Sequence, residues 1–142
     1  MDEKTKDRAI IYPTPERIAE YNLFALTVIE AKKGDKAEVL SYQKITDIVE
    51  GCKNLEGDIY DKAVFLMKSL VQKHPFASGN RRTAFIVTKE FLIDNHAKFN
   101  ILDDPSNAKV MIGIREGYYT DPEIKEWIRN GGIREFRRQE KI

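Results

Sequence analysis

The sequence predicts an all-α single domain, a bundle of helices around one central buried helix. Three observations lead there. Apolar residues recur at three- and four-residue spacing along almost the whole chain. Helix starts are repeatedly marked by a capping residue followed at once by proline, at Thr14-Pro15, Asp104-Pro105 and Asp121-Pro122. Strand signals are confined to Ala37–Leu40 and Lys98–Ile101, each too brief for a sheet.

The elements follow in order. Residues 1–11 form a polar N-terminal extension ending in an apolar touch-down at Ile10-Ile11-Tyr12. Thr14 caps a first helix, with Ile18, Tyr21, Ala25, Val28 and Ile29 on one face and Gly34 ending the run. Ser41 caps a second, with Ile45, Ile48, Val49 and Cys52 aligned; Gly51 and Gly57 are expected to bracket the next loop. Asp58 caps a third, buried along Ile59, Ala63, Leu66, Met67 and Leu70. Pro75 disfavours helical geometry at His74, so the helix ends there. After the loop Pro75–Gly79, a helix runs to about Asp94. Its Ala84, Phe85, Val87, Thr88, Phe91 and Leu92 are apolar enough on most faces to place it at the centre. Asp104-Pro105 opens a helix through Met111 and Ile112 toward Gly117. Asp121-Pro122 opens another, with Ile124, Trp127 and Ile128, stopped at Asn130-Gly131-Gly132. His96 is read as a helix-end residue. Residues 133–142 form a basic tail whose Arg134, Arg137 and Arg138 either solvate an end or meet an acidic partner.

Composition narrows the function classes. At 142 residues the chain suits one domain. Its 24 Lys and Arg against 23 Asp and Glu give a net charge of +1, which disfavours a general nucleic-acid binder and an acidic tail. The single cysteine forms no internal disulfide and joins no Cys/His metal cluster, so Cys52 reads as a small apolar residue. The N-terminus lacks the apolar core of a secretory signal, and no apolar run is long enough to span a bilayer. A cytoplasmic protein with no membrane contact is expected.

Chemistry concentrates in His74-Pro75-Phe76-Ala77-Ser78-Gly79-Asn80-Arg81-Arg82-Thr83-Ala84-Phe85. A histidine precedes a loop, and Gly-Asn then opens a helix. The first amides of a helix have no internal partner and carry partial positive charge, so that end accepts phosphate. Arg81 and Arg82 add cations where the helix dipole disfavours them, unless an anion is present. An anion cradle, charge neutralisers and a proton carrier are the parts phosphoryl or nucleotidyl transfer needs. The same features also fit a plain helix cap and solvated arginines, and the residues alone leave both readings open.

The segment resembles the signature of the Fic/Doc (Fido) family, approximately H-x-F-x-[D/E]-[A/G]-N-[K/G]-R, followed in the death-on-curing (Doc) branch by T-A. His74, Phe76, Gly79, Asn80, Arg82, Thr83 and Ala84 match it. The resemblance implies a helical domain that uses ATP or another nucleoside triphosphate to modify a Ser, Thr or Tyr hydroxyl on a protein. Most members transfer AMP; the Doc branch is a kinase and a toxin, held in check by an antitoxin protein and directed at the translation machinery. It implies His74 as general base and Phe76 as a core anchor. Gly79, Asn80 and the following amides would form the anion hole, with Arg82 on a phosphate.

Three departures bear on the chemistry. Ser78 stands where an acidic residue holds Mg²⁺, and a neutral hydroxyl is a weak ligand for that hard cation. Arg81, a bulky cation, is closer to the lysine of the Doc branch than to the glycine of the AMP-transferring branch. Phe85 replaces an arginine that holds the outer phosphates in the latter. The expected activity is therefore Doc-like phosphoryl transfer before AMP transfer. The alternative is a nucleotide- or phosphate-binding interaction module that lost its metal ligand. Thr46–Gly51 also fits the family's inhibitory-helix pattern, with Glu50 as the regulatory residue, although the arginine it would block is absent. The segment Lys53–Tyr60 is expected to be the flap that orders the target peptide.

Overall fold

A computed structural model describes residues 9–28 and 37–138 of the chain. Six helices carry them: α1 Pro15–Val28, α2 Tyr42–Asn54, α3 Ile59–Lys73, α4 Asn80–Asp94, α5 Asn107–Arg115 and α6 Asp121–Asn130. The fold is all-α, as expected. The one extended pairing among the described residues is an antiparallel bridge between Val39 and Phe76. No described helix is long and apolar enough to cross a membrane. Ile29, Gly34 and the termini 1–8 and 139–142 lie outside the described residues.

Local chemistry explains the helix starts. Thr14 Oγ1 accepts from the amide of Arg17 at 3.1 Å, and Ser41 Oγ from that of Lys44 at 3.1 Å. Asp58 and Asp61 form a reciprocal capping box at the start of α3. Two starts fall one to two residues from their expected places. The cap of α6 is Thr120, in a capping box with Glu123, so Pro122 is the second helical residue. At Asp104-Pro105 the Asp104 carboxylate instead accepts from the amide of Ser106 at 2.8 Å, and α5 begins only at Asn107.

One core joins the elements. Ile18, Ile45, Ile48, Cys52, Leu66, Met67, Leu92, Ile124 and Ile128 are wholly or nearly wholly buried within it. The centre is shared rather than held by α4 alone. Helix α3 packs against α2, α4, α5 and α6, while α4 packs against α1, α3 and α5. Gly51 does not bracket a loop: it lies inside α2, where an added Cβ would come within 2.7 Å of Phe65 Cζ. Buried Lys62 closes the end of α2. Its Nζ donates to the carbonyls of Cys52, Leu55 and Lys53 at 2.8, 2.7 and 3.3 Å, satisfying the orphan acceptors of a helix terminus. Cys52 is sealed beneath it, as expected of an apolar residue. Burial pushes its thiol up to about 11 despite the lowering influence of Lys62, so it is no nucleophile at neutral pH.

The tail is not a free basic surface. Phe136 is buried against Tyr118, with ring centroids 4.9 Å apart. Arg134 pairs with Glu123 and lies 4.0 Å over the Tyr118 ring; Arg138 pairs with Glu116 and Arg137 with Glu135. Intramolecular carboxylates take up these charges, and packing of Phe136 brings them into reach. At the other helix end in question, His96 holds φ 59° and its amide donates to Ile93 O at 3.1 Å. Its backbone, rather than its imidazole, closes α4.

Candidate functional site

The loop between α3 and α4 is held from three sides. Outside it, residues 38–41 lie alongside: the amides of Leu40 and Ser41 donate to Pro75 O at 2.8 and 3.3 Å, and Ala77 N donates to Glu38 O at 2.9 Å. Inside it, the buried Asn80 side chain accepts from Phe76 N at 3.0 Å and donates to Phe76 O at 2.9 Å. Beneath it, Asn22 of α1 donates from Nδ2 to Ser78 O at 2.8 Å and to Thr83 Oγ1 at 3.1 Å. Phe76 is 1% exposed and anchors the loop in the core. A backbone tied at this many points is fixed before any ligand arrives.

Gly79 then turns the chain into α4 at φ 78°, a conformation that disfavours a side chain; an added Cβ would also meet Asn22 Nδ2 and Leu26 Cδ2 at 3.2 Å. The amides of Gly79, Asn80, Arg81 and Arg82 have no hydrogen-bond partner among the described residues, and the first bond into the helix is Thr83 N to Gly79 O at 2.9 Å. This is the exposed positive end of a 15-residue helix. Asn80 is first a clamp on the loop.

These groups open on a cleft of about 1040 Å³. His74, Ser78, Gly79, Asn80, Arg81 and Arg82 all line it, so the structure brings together every residue of the sequence-derived site except Glu50. His74 sits at the C-terminus of α3 in left-handed geometry, φ 54° and ψ 58°, with an exposed side chain. Lys44 Nζ donates to the neighbouring Lys73 O at 3.0 Å and steadies that helix end. Arg115, at the last turn of α5, lines the same cleft. Burial, together with the like charges of Arg115 and Arg82, lowers the pKa of Arg81 from its ordinary value. Phe85 supplies an aromatic wall, its ring edge-on to Phe99 at 5.2 Å.

Two expected elements are not at the cleft. Glu50 pairs with Lys53 at 3.6 Å on the exposed face of α2, two helical turns from the end of that helix that approaches the loop. Lys53–Tyr60 is no flap either. Lys62 and Lys125 tie it at the start of α3, a 15-residue helix away from His74, and Tyr60 Oη donates to Lys98 O at 2.7 Å. The segment actually beside the loop is 38–41.

At the signature position Ser78 offers one neutral hydroxyl, which fits magnesium poorly. The cleft's carboxylates, Asp103 and Asp104, lie on the segment before α5, and Asp104 is engaged with Ser106. Asn22 and Arg115 are the two residues that sequence reasoning missed. Asn22 carried a signal, as a polar residue on the apolar face that includes Ile18 and Ala25; Arg115 carried none.

No curated protein matches the chain. The sequence model of the Fic/DOC family matches residues 11–92, which span α1 through most of α4 and the whole of the loop and its clamps. With more than half of its length matched, and with the signature loop built as described, this chain belongs to the Fic/DOC family.

Proposed function

We propose that the chain is a transferase that moves the terminal phosphoryl group of ATP, or of another nucleoside triphosphate, to a Ser, Thr or Tyr hydroxyl of a protein. The observation that carries this reading is the convergence of an imidazole, a set of unpartnered helix amides and two arginines on one cleft of nucleotide size. The phosphates lie against the amides of Gly79 to Arg82, with Arg82 and Arg81 beside them. His74 takes the proton from the target hydroxyl. The hydroxyl oxygen attacks the γ-phosphorus, the bond to the β–γ bridging oxygen breaks, and the nucleoside diphosphate leaves with those electrons.

Phosphoryl transfer is preferred to AMP transfer because of Phe85. An apolar ring packed against Phe99 gives the outer phosphates no charge at that position, which favours a nucleotide seated with its terminal phosphate toward His74. By the same resemblance the protein acts in the cytoplasm as the toxin of a toxin–antitoxin pair. Its target belongs to the translation machinery, and a separate antitoxin neutralises it.

Incubation with ATP labelled at the α or the γ phosphate, Mg²⁺ and a cell lysate tests the reading. Label passes from the γ position into protein, and His74→Ala loses it while still binding nucleotide. Label from the α position means AMP transfer. Nucleotide binding without any label means that Ser78 has left a binding module.

A further inference from the structure

Most arginines elsewhere on the described molecule have a carboxylate partner: Arg17 pairs with Glu20, Arg134 with Glu123, Arg137 with Glu135 and Arg138 with Glu116. Arg129 has no such pair and lies over the Tyr60 ring. The cleft is different. Arg81 and Arg82 form no ion pair with any described residue. Arg115 reaches only its neighbour Glu116, at 3.5 Å, and Glu116 is already taken by Arg138. Three arginines from two helices thus line one cleft, and among the described residues the only ion pair any of them makes is the long Arg115–Glu116 contact. Each repels the others, and a ligand carrying several negative charges relieves all three at once. Asp103 and Asp104 line the same cleft but pair with none of them.

We propose that Arg115 belongs to the phosphate site, and that Arg81, Arg82 and Arg115 together hold the outer phosphates of a nucleoside triphosphate as a cationic clamp that needs no divalent metal. The identity of the ligand rests on the transferase reading above. Guanidinium groups suit the task because their planar forks make paired hydrogen bonds to phosphate oxygens and stay charged at any working pH. The clamp accounts for a cleft that has cations in quantity but a hydroxyl, Ser78, where the family signature expects a metal-binding carboxylate. The third cation comes from α5, beyond the span matched by the family model.

Calorimetric titration with ATP, inorganic tripolyphosphate and AMP, each in EDTA and in Mg²⁺, tests the clamp. Wild-type protein binds ATP and tripolyphosphate in EDTA. Arg115→Ala weakens both by about tenfold or more, the effect of losing a charge-assisted bond, and weakens AMP far less. Arg115→Lys recovers only part, because an ammonium lacks the fork. Arg115 is exposed, so both variants should melt with the wild type, which confirms that they fold. Wild-type binding that requires Mg²⁺, or an Arg115→Ala protein that binds like the wild type, overturns the clamp and leaves the transferase reading standing. Wild-type protein that binds no triphosphate in either buffer removes both.

Discussion

The side-chain amide of Asn22 donates at 2.8 Å to the carbonyl of Ser78, 56 residues further along the chain. The same nitrogen donates to Thr83 Oγ1 at 3.1 Å. One buried amide thereby joins the last part of the loop to the first turn of α4, the two pieces that must keep register for four backbone amides to aim at one anion. The helix that carries Asn22 lines little of the cleft itself, so its contribution to the site is positional.

Asn22→Ala is expected to destabilise the protein by about 1–3 kcal/mol, the typical result of leaving buried acceptors without a donor. Asn22→Asp is expected to be worse, because a carboxylate oxygen would face the Ser78 carbonyl. Urea unfolding gives the order. Hydrogen exchange gives the location: the amides of Ala77 and Thr83, bonded to Glu38 O and Gly79 O, should lose protection before those of α3. Uniform loss of protection would mean that Asn22 is an ordinary core residue.

His74 makes a second separable case. At φ 54° it occupies a conformation that costs an L-residue roughly 1–2 kcal/mol. Glycine escapes that cost but loses more chain entropy on folding, about 0.5–1 kcal/mol. His74→Gly should therefore be more stable than His74→Ala, by up to about 1 kcal/mol in thermal or urea unfolding. Both should fail in phosphoryl transfer. Activity in either would remove His74 as the base, and equal stability would mean that the turn relaxes around alanine.

Much of this was legible in the sequence because it is local. Ser41 and Asp58 announce their helices through side chains that bond two or three residues ahead, and the stripe Ile45, Ile48, Val49, Cys52 is buried as its spacing predicts. The signature loop was readable for the same reason. What failed depends on distant partners. Gly51 looks like punctuation until Phe65 is placed against it. The tail arginines look like an open basic surface until Phe136 packs and delivers them to Glu116, Glu123 and Glu135. Arg115 is an unremarkable cation at a helix end, and only the docking of α5 against α3 and α4 turns it toward the cleft. Glu50 failed in the opposite sense, since a short motif matched on a face that never reaches the site.

The Glu123–Arg134 pair sets an acid response. Hydrogen bonding from Arg134, then from the Thr120 backbone, lowers the Glu123 carboxyl from 4.5 to about 2. The carboxylate is charged in folded and unfolded chains alike above 4.5, so its stabilising contribution is complete there. It is lost as pH falls toward about 2, where the folded protein also takes up the proton. Thermal unfolding of Glu123→Gln should thus depend less on pH than the wild type between these limits. The two should diverge most near neutrality, where the variant lacks the pair altogether. Parallel pH profiles would show that the pair does not persist in solution.

Ser78→Asp probes the centre of the mechanism because its effect should change sign with metal. The new carboxylate would stand at the amino end of α4, where helix amides favour negative charge by about 0.3–1 kcal/mol, so the ligand-free variant should be slightly more stable than the wild type. In EDTA that same carboxylate offsets part of the charge of Arg81, Arg82 and Arg115, and it repels an incoming phosphate. ATP should then bind more weakly than to the wild type. Magnesium reverses the relation: a carboxylate oxygen and phosphate oxygens together make the hard ligand set that a lone hydroxyl does not. Calorimetry in the two buffers should show the variant weaker than the wild type without metal and equal or tighter with it. If the variant matches the wild type in both, Ser78 does not face the phosphates, and the polyanion must lie elsewhere in the cleft.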